Sequence, residues 1–303
     1  MAEKFVRATA CPICGSSRFH PHKKGTFDYA RLRSEQVKIT DSEYGKIWDL
    51  SRCEECGHLF ADPSPASEFI LSLYGRVEDP AYDEEAEGRS RNFLGILKTL
   101  DRLAPAKGRL FDIGAATGIL LHLAQERGWS PSGVEISAWC VRRASEKYGI
   151  HLTQGGFDEI RLEPAAYQAV TMVDFIEHTP EPQAAVRKAA EILAPGGILC
   201  LVTPDIHSFA ARAAGKGWWH LRPGHLAYFS RASLDRLLRN GGFEIIERRR
   251  YAWTFSAHYL LSRKKIFGLL TREGRPASFL KRIPIKLALG DSFEIYAKKT
   301  ASS

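Results

Sequence analysis

The chain has 303 residues, 44% hydrophobic and 26% charged, an ordinary composition for a soluble globular protein of one large domain with an appendage or two modest domains. No uninterrupted apolar run approaches the ~20 residues that span a bilayer, and Met1-Ala2-Glu3-Lys4 leads into no apolar leader segment, which points to the cytoplasm. The net charge of +8 is local: eleven Lys or Arg and one acid, Glu273, fall between Arg248 and Lys286, which weakens any inference of general nucleic-acid binding from the net charge.

Residues 1–65 read as a small separate unit. Cys11-Pro12-Ile13-Cys14-Gly15 and Cys53-Glu54-Glu55-Cys56-Gly57 are near copies of one knuckle. In each, the glycine permits the tight turn that aims backbone amides at thiolate sulfur. Four thiolates complete the closed tetrahedral sphere of a structural zinc site, with Cys11, Cys14, Cys53 and Cys56 as ligands. Such a unit has little core, so metal binding supplies most of its folding energy, on the order of 10 kcal/mol. A redox dithiol is the competing reading, and duplication of the knuckle argues against it. Between the knuckles, Val37-Lys38-Ile39-Thr40 and Lys46-Ile47-Trp48-Asp49-Leu50 alternate as ribbon strands do, and His20, His22 and His58 read as surface histidines.

Residues 66–105 read as a helical cover. Ser67 to Leu73 is a short helix capped by Ser67, and Asn92 to Leu103 is a longer one carrying Phe93, Leu94, Ile96, Leu97 and Leu100.

The remaining stretch, 106–303, alternates strands and helices and predicts a mainly parallel α/β sheet covered on both faces. Its first unit is Leu110-Phe111-Asp112-Ile113-Gly114-Ala115-Ala116-Thr117-Gly118-Ile119-Leu120, an apolar strand, a small-residue turn and a helix. An open α/β sheet holds a nucleotide-like ligand at this kind of turn, and the alternative is a strand-turn-helix with no ligand. The dinucleotide fingerprint fails, because its third and sixth positions here are Ala116 and Ile119. Asp112 at the strand's tip would repel a pyrophosphate and suits a cationic ligand such as S-adenosylmethionine. Glu135, 23 residues after Asp112, ends the second strand near the interval at which an acid meets ribose hydroxyls. Further strands are expected at His151–Gln154, Tyr167–Phe175, Ile198–Thr203, Phe243–Arg248 and Ser292–Ala297.

The Asp112–Gly118 stretch resembles motif I of class I methyltransferases, D-x-G-x-G-x-G, with Ala116 in place of the middle glycine. Ala194-Pro195-Gly196-Gly197 is similar to the turn before that family's fifth strand. The resemblance covers roughly residues 90–300. It implies a Rossmann-like seven-stranded sheet whose final strand is antiparallel and inserted beside the sixth. It also implies S-adenosylmethionine as cofactor, with Asp112, Gly114, Ala115, Ala116, Thr117, Gly118, Glu135, Ile136, Gly156, Phe157 and Asp174 around it.

For the methyl acceptor, Asp174-Phe175-Ile176-Glu177-His178 is similar to the E-x-x-E-H tract of the ubiquinone-pathway O-methyltransferases. In that group the acids and histidine sit by the transferred methyl and can hold a divalent metal, which implies the same for Asp174, Glu177 and His178. The alternative is that Glu177 and His178 only pin the loop. For a hydroxyl acceptor, His178 is the natural general base. A lid insertion is expected at 206–230, where His225-Leu226-Ala227-Tyr228-Phe229-Ser230 resembles the H-x-x-x-F-S segment of the same group; His225 and Tyr228 are expected to face the acceptor.

The basic insertion, 251–289, interleaves Phe255, Tyr259, Leu260, Ile266, Phe267 and Leu270 with Arg263, Lys264 and Lys265, an amphipathic helical pattern. A helix packed on the domain is favoured over an anionic membrane surface met through 251–286 or an anionic acceptor. The leading function is methylation of a small-molecule acceptor, at oxygen by preference: a sugar, a polysaccharide precursor or an isoprenoid-like metabolite. The alternatives are an RNA methyltransferase, since one family that methylates guanine in ribosomal RNA also begins with a zinc ribbon, and a non-catalytic zinc-ribbon scaffold. The balanced charge of the ribbon argues against RNA.

Overall fold

A computed structural model describes residues 4–40, 43–262 and 279–300. Seven strands form the central sheet: β4 (Arg109–Ile113), β5 (Ser130–Glu135), β6 (Thr153–Gln154), β7 (Tyr167–Val173), β8 (Leu193–Pro204), β10 (Phe243–Arg250) and β11 (Ser292–Lys299). Their order is β10-β11-β8-β7-β4-β5-β6. β4 to β8 pair in parallel, whereas β11 is antiparallel to both β8 and β10. The sheet is therefore the Rossmann-like, mainly parallel one expected. Leu110, Ile113, Val170, Met172, Leu199 and Leu201 are wholly shielded from solvent. That explains why these strands read as apolar runs without alternation.

Helices cover both faces: α1 (Ser67–Tyr74), α2 (Ala86–Leu103), α3 (Ile119–Glu126), α4 (Ala138–Tyr148), α5 (Pro182–Ile192) and α6 (Arg231–Asn240). In α2, Phe93, Ile96, Leu97 and Leu100 fall on one stripe and are buried, each contributing about 1.5–3 kcal/mol of apolar burial. α2 begins six residues before its expected start, because the polar Gly88-Arg89 turn is itself buried against the domain. Ser137 and Ser230 cap α4 and α6 by accepting the amides of Cys140 and Ser233. Ser67 does not cap α1; Ala66 stands at that position with no side-chain bond.

The N-terminal unit departs from its sequence reading in two places. Its main sheet holds β1 (Phe19–Lys23), β2 (Leu50–Cys53) and β3 (Leu59–Ala61), joined by β9 (Ala227–Tyr228) from the lid insertion in the order β9-β3-β2-β1. Residues 37–40, expected as a ribbon strand, instead close a 3-10 turn (Ser34–Val37) and continue without strand pairing among the described residues, and 46–49 is loop whose Ile47 and Trp48 are fully buried. Alternation there reflects packing against the neighbouring domain, not a strand.

The basic stretch is also corrected. Arg248–Arg250 end β10 and are paired: Arg248 with Asp235, and Arg250 Nη1 with Asp205 at 2.7 Å. Phe255 lies in a strand, Trp253–Ser256, that pairs with Pro284–Leu287, and Tyr259 and Leu260 lie in a helix, Ala257–Ser262. Arg263 to Leu270 fall outside the described residues. Among the described residues no helix is long and apolar enough to cross a membrane.

Candidate active site

The first turn of the α/β unit places Gly114 at the carboxyl end of β4 with φ +73°. A Cβ there would come 3.1 Å from Phe175 Cδ2, so only glycine leaves the space open. Beside it, Glu135 ends β5 with its carboxylate held by the chain itself. Oε2 accepts the amide of Ala116 at 2.9 Å and Oε1 accepts the amide of Ser137 at 2.8 Å. Burial raises the Glu135 pKa, and these amides oppose the rise.

A cavity of about 370 Å³ opens at this edge. It gathers Gly114, Glu135 and Ile136 from the first two strand ends, Gly156 and Phe157 from the third, and Asp174 and His178 from the fourth. Lys188 of α5 fixes the loop of the third strand, donating from Nζ to the carbonyls of Phe157 at 2.5 Å and Ile160 at 2.6 Å. Convergence of four strand ends on one cleft is the geometry in which open α/β sheets bind ligand.

The rest of the glycine turn stands behind this wall. Ala115 and Ala116 are buried, and Gly118 packs against α4, where a Cβ would meet Ala144 at 3.0 Å. The Thr117 hydroxyl is buried without a partner. Asp112 is buried too, its Oδ1 accepting the Thr171 hydroxyl at 2.6 Å, and burial pushes its pKa up to about 7. Asp174, with φ +50°, has Oδ1 buried and unpartnered, and its pKa is likewise pushed up to about 7. Arg89 of α2 opposes that rise; its guanidinium is buried over the Tyr82 ring at 3.7 Å with Nε unpartnered. Nothing in the local sequence distinguishes Arg89 from a solvated helix arginine.

The acceptor side begins at His178. Its Nδ1 lies 2.8 Å from the carbonyl of Gly224 and 2.7 Å from the hydroxyl of Tyr74, a cavity residue on α1. A carbonyl only accepts, so Nδ1 carries the proton and Nε2 keeps its lone pair. Burial and the neighbouring Arg222 lower the His178 pKa to about 3. Glu177 is buried, Oε2 accepting the Thr203 hydroxyl at 3.0 Å and Oε1 unpartnered; burial raises its pKa well above the usual range.

His225 packs edge-on against His178 with centroids 4.7 Å apart, but it is buried and does not line the cavity. Tyr228 does not face the cavity either. It sits in β9, opposite Leu59 of β3, with its hydroxyl buried and unpartnered. Strand pairing with the ribbon, invisible in the local sequence, turns that side chain inward. Of the expected divalent-metal trio, only Glu177 and His178 remain together; their donor atoms lie within 4.8 Å of those of His225, and Asp174 stands outside this group.

The four knuckle cysteines converge. Cys11 Sγ is 3.6 Å from Cys56 Sγ, Cys14 Sγ is 3.5 Å from Cys53 Sγ, and all four sulfurs lie within 4.8 Å of one another. Zn–S bonds of about 2.3 Å in a tetrahedron place sulfurs about 3.8 Å apart, so the donor set fits zinc. Gly15 and Gly57 take matching φ values of +71° and +68°. His58 is not a surface residue: it is fully buried between Phe60 and Phe229 with both ring nitrogens unpartnered.

Residues 82–248 match the family described as "Methyltransferase domain". The chain belongs to that family. Its methyltransferase domain is similar to ubiquinone biosynthesis O-methyltransferases. The protein from Xanthomonas axonopodis pv. citri is 29% identical over 161 residues, 48% of this chain and 66% of that one. The protein from Saccharophagus degradans is 27% identical over 217 residues, 65% and 90% of the two chains. The chain spans less than two thirds of two of these relatives, 58% of the protein from Paracidovorax citrulli and 66% of the one from Xanthomonas axonopodis pv. citri. Among solved structures, the methyltransferase of Haloferax volcanii, in complex with the Trm112 methyltransferase activator, matches at TM-score 0.52 and 15% identity. That match covers 75% of this chain and 97% of the other. It supports the fold alone.

The cavity fits S-adenosylmethionine on its own geometry. A Cβ at Gly114 would crowd this wall, Glu135 lines the same space, and Asp174, also lining it, keeps one carboxyl oxygen buried without a partner.

Proposed function

We propose that the protein is an S-adenosylmethionine-dependent methyltransferase that methylates a hydroxyl oxygen of a small acceptor with an apolar body. The observation carrying this reading is that one cavity holds both the Gly114–Glu135 face and the Tyr74–His178 pair. Glu135 would accept from the ribose hydroxyls, Phe157 and Gly156 would flank the adenine, and Asp174, with the buried Asp112 and Arg89 behind it, would face the charged amino-acid end. The cofactor, when bound, supplies the electrophilic methyl group.

The chain's own residues then position the acceptor and receive its proton. The cavity is largely apolar: Ile70, Leu71 and Val77 line it, Leu71 against Gly156 and the Val77 carbonyl accepting the Ser137 hydroxyl, so an acceptor seated beside the cofactor meets an apolar surface. His178 stays neutral at all working pH, so the Nε2 lone pair is always available. A hydroxyl oxygen becomes strongly acidic as it gains a methyl group, so a base of low proton affinity still takes the proton. Positioning carries more of the rate than basicity in such a transfer. The ubiquinone-pathway names of the relatives support oxygen as the acceptor atom.

The test is transfer of labelled methyl from S-adenosylmethionine to a panel of phenols, polyprenylated phenols and sugars, with bulk RNA as a parallel substrate. Labelling of a hydroxyl compound with an apolar body is the expected result. Labelling of RNA alone, or no binding of S-adenosylhomocysteine, overturns the reading.

A further inference from the structure

We infer that the zinc-ribbon unit is the outer wall and lid-holder of the acceptor pocket. Its four cysteines therefore govern the acceptor side, and the cofactor side forms without them. This rests on the zinc reading of the four cysteines and on the acceptor side assigned above.

The lid segment 221–228 is held along two edges. On the inner edge, the amides of Leu226 and Ala227 donate to the Glu177 carbonyl at 2.8 and 3.1 Å, and the Gly224 carbonyl meets His178 Nδ1. These bonds orient the imidazole that the reaction uses. On the outer edge the partners among the described residues belong to the ribbon unit. β9 pairs antiparallel with β3, Ala227 opposite Phe60 and Tyr228 opposite Leu59. Trp48 Nε1 donates to the Pro223 carbonyl at 2.8 Å, and the Gly45 amide donates to the Leu221 carbonyl at 2.7 Å. Arg222 donates from Nη2 to the carbonyls of Lys38 and Ile39 at 2.6 and 2.9 Å.

The same inter-knuckle segment reaches the cavity, where Val37 and Ile39 line the wall near Tyr74. Ile39 is 39% exposed, an apolar side chain at the cavity that the described residues leave partly uncovered. An acceptor with an apolar body would cover it, which makes Val37 and Ile39 specificity-determining positions. Zinc matters because β2 ends in Cys53, and the turn through Cys56 delivers β3, the strand that β9 needs as partner. With the turn released, β9 loses its register and Gly224 loses its place over His178. Gly114, Glu135 and Phe157, by contrast, stand on strand ends that pair only within the central sheet.

The experiment compares the full-length zinc-loaded protein with the same protein after chelation. It reads hydrogen exchange by peptide and S-adenosylhomocysteine affinity by calorimetry. Chelation is expected to raise exchange in 45–61 and 221–229 by about tenfold or more, with peptides over 109–135 and the affinity changed by less than about twofold. Opening of 45–61 with 221–229 still protected overturns the inference. So does loss of protection across 109–135, which makes zinc a requirement of the whole fold. Trp48→Phe, which removes the Nε1 donor while keeping an aromatic ring and the zinc, is expected to raise exchange in 221–226; unchanged exchange there also overturns it. Failure of the zinc-loaded protein to bind S-adenosylhomocysteine would instead undo the methyltransferase reading and leave the exchange result readable.

Discussion

The hydroxyl of Tyr74 lies 2.7 Å from Nδ1 of His178, across 104 residues of sequence. This contact ties the first helix after the ribbon to the loop that ends β7, and with the Gly224 carbonyl it fixes which imidazole nitrogen keeps its lone pair. Tyr74 is thus a positioning residue for His178 and part of the cavity wall at once.

Two substitutions follow from it. His178→Ala is expected to lower turnover by about a hundredfold or more, the usual worth of a positioned proton acceptor. Tyr74→Phe keeps the ring and loses the hydroxyl, so a fall of about tenfold is expected from a less constrained imidazole. Affinity for S-adenosylhomocysteine should stay near the parent value in both, because neither side chain stands at the Gly114–Glu135 face. Steady-state kinetics with an identified acceptor check this, and full turnover in His178→Ala would remove His178 from the reaction.

Cofactor binding should depend on pH through the two raised aspartates. Asp112 and Asp174 are each pushed up to about 7 by burial, so below that pH the ligand-free protein holds them largely protonated. A ligand bearing an ammonium group favours the carboxylate form, so binding releases protons. Affinity is therefore expected to fall as pH drops through about 7, by up to about tenfold per unit for each group that must ionise. Calorimetry in buffers of different ionisation enthalpy counts those protons. A dissociation constant flat between about pH 6 and 8, with no proton release, contradicts the assignment.

Much of this fold was legible because its signals are local. Strand-turn-helix spacing, the acid at the end of β5 and the paired knuckles each lie within a few residues of sequence. Contacts between distant elements were not legible. Tyr228 was expected in the pocket because its sequence neighbours are lid-like, yet pairing of β9 with β3 turns it inward. His58 follows a knuckle and looks solvent-facing, but the packing of Phe60 and Phe229 buries it. Nothing in the local sequence sets Arg89 and Lys188 apart from helix-surface charges. What gives them meaning is Asp174 for one and the carbonyls of 157–160 for the other, none of them near in sequence.

One zinc ion per chain is expected by elemental analysis, and Cys11→Ser or Cys56→Ser should lower it to near zero. Three thiolates leave the tetrahedron open and weaken binding, and the ribbon loses stabilisation on the order of 10 kcal/mol that metal supplies to such small units. A metal-free protein whose four thiols remain reduced, and whose ribbon melts as before in the presence of chelator, would rule this out.

The sharpest test of the cofactor face pairs Gly114 with Glu135. Gly114→Val forces a β-branched residue to φ +73°, and its Cβ alone would stand 3.1 Å from Phe175. The backbone strain is about 1–2 kcal/mol, small enough for the fold to survive, while the side chain fills the space the ligand needs. Loss of detectable S-adenosylhomocysteine binding with an intact circular dichroism spectrum is expected. Glu135→Ala removes the ribose partner and leaves the amides of Ala116 and Ser137 without their acceptors. Hydrogen bonds to a charged group are worth about 1.5–3 kcal/mol, so affinity should drop by about ten- to a hundredfold. Glu135→Gln retains one carbonyl oxygen and is expected to fall between the two, since a single acceptor can satisfy one amide and not the other. Calorimetry that finds all three variants within about twofold of the parent would place the ligand elsewhere than this cavity.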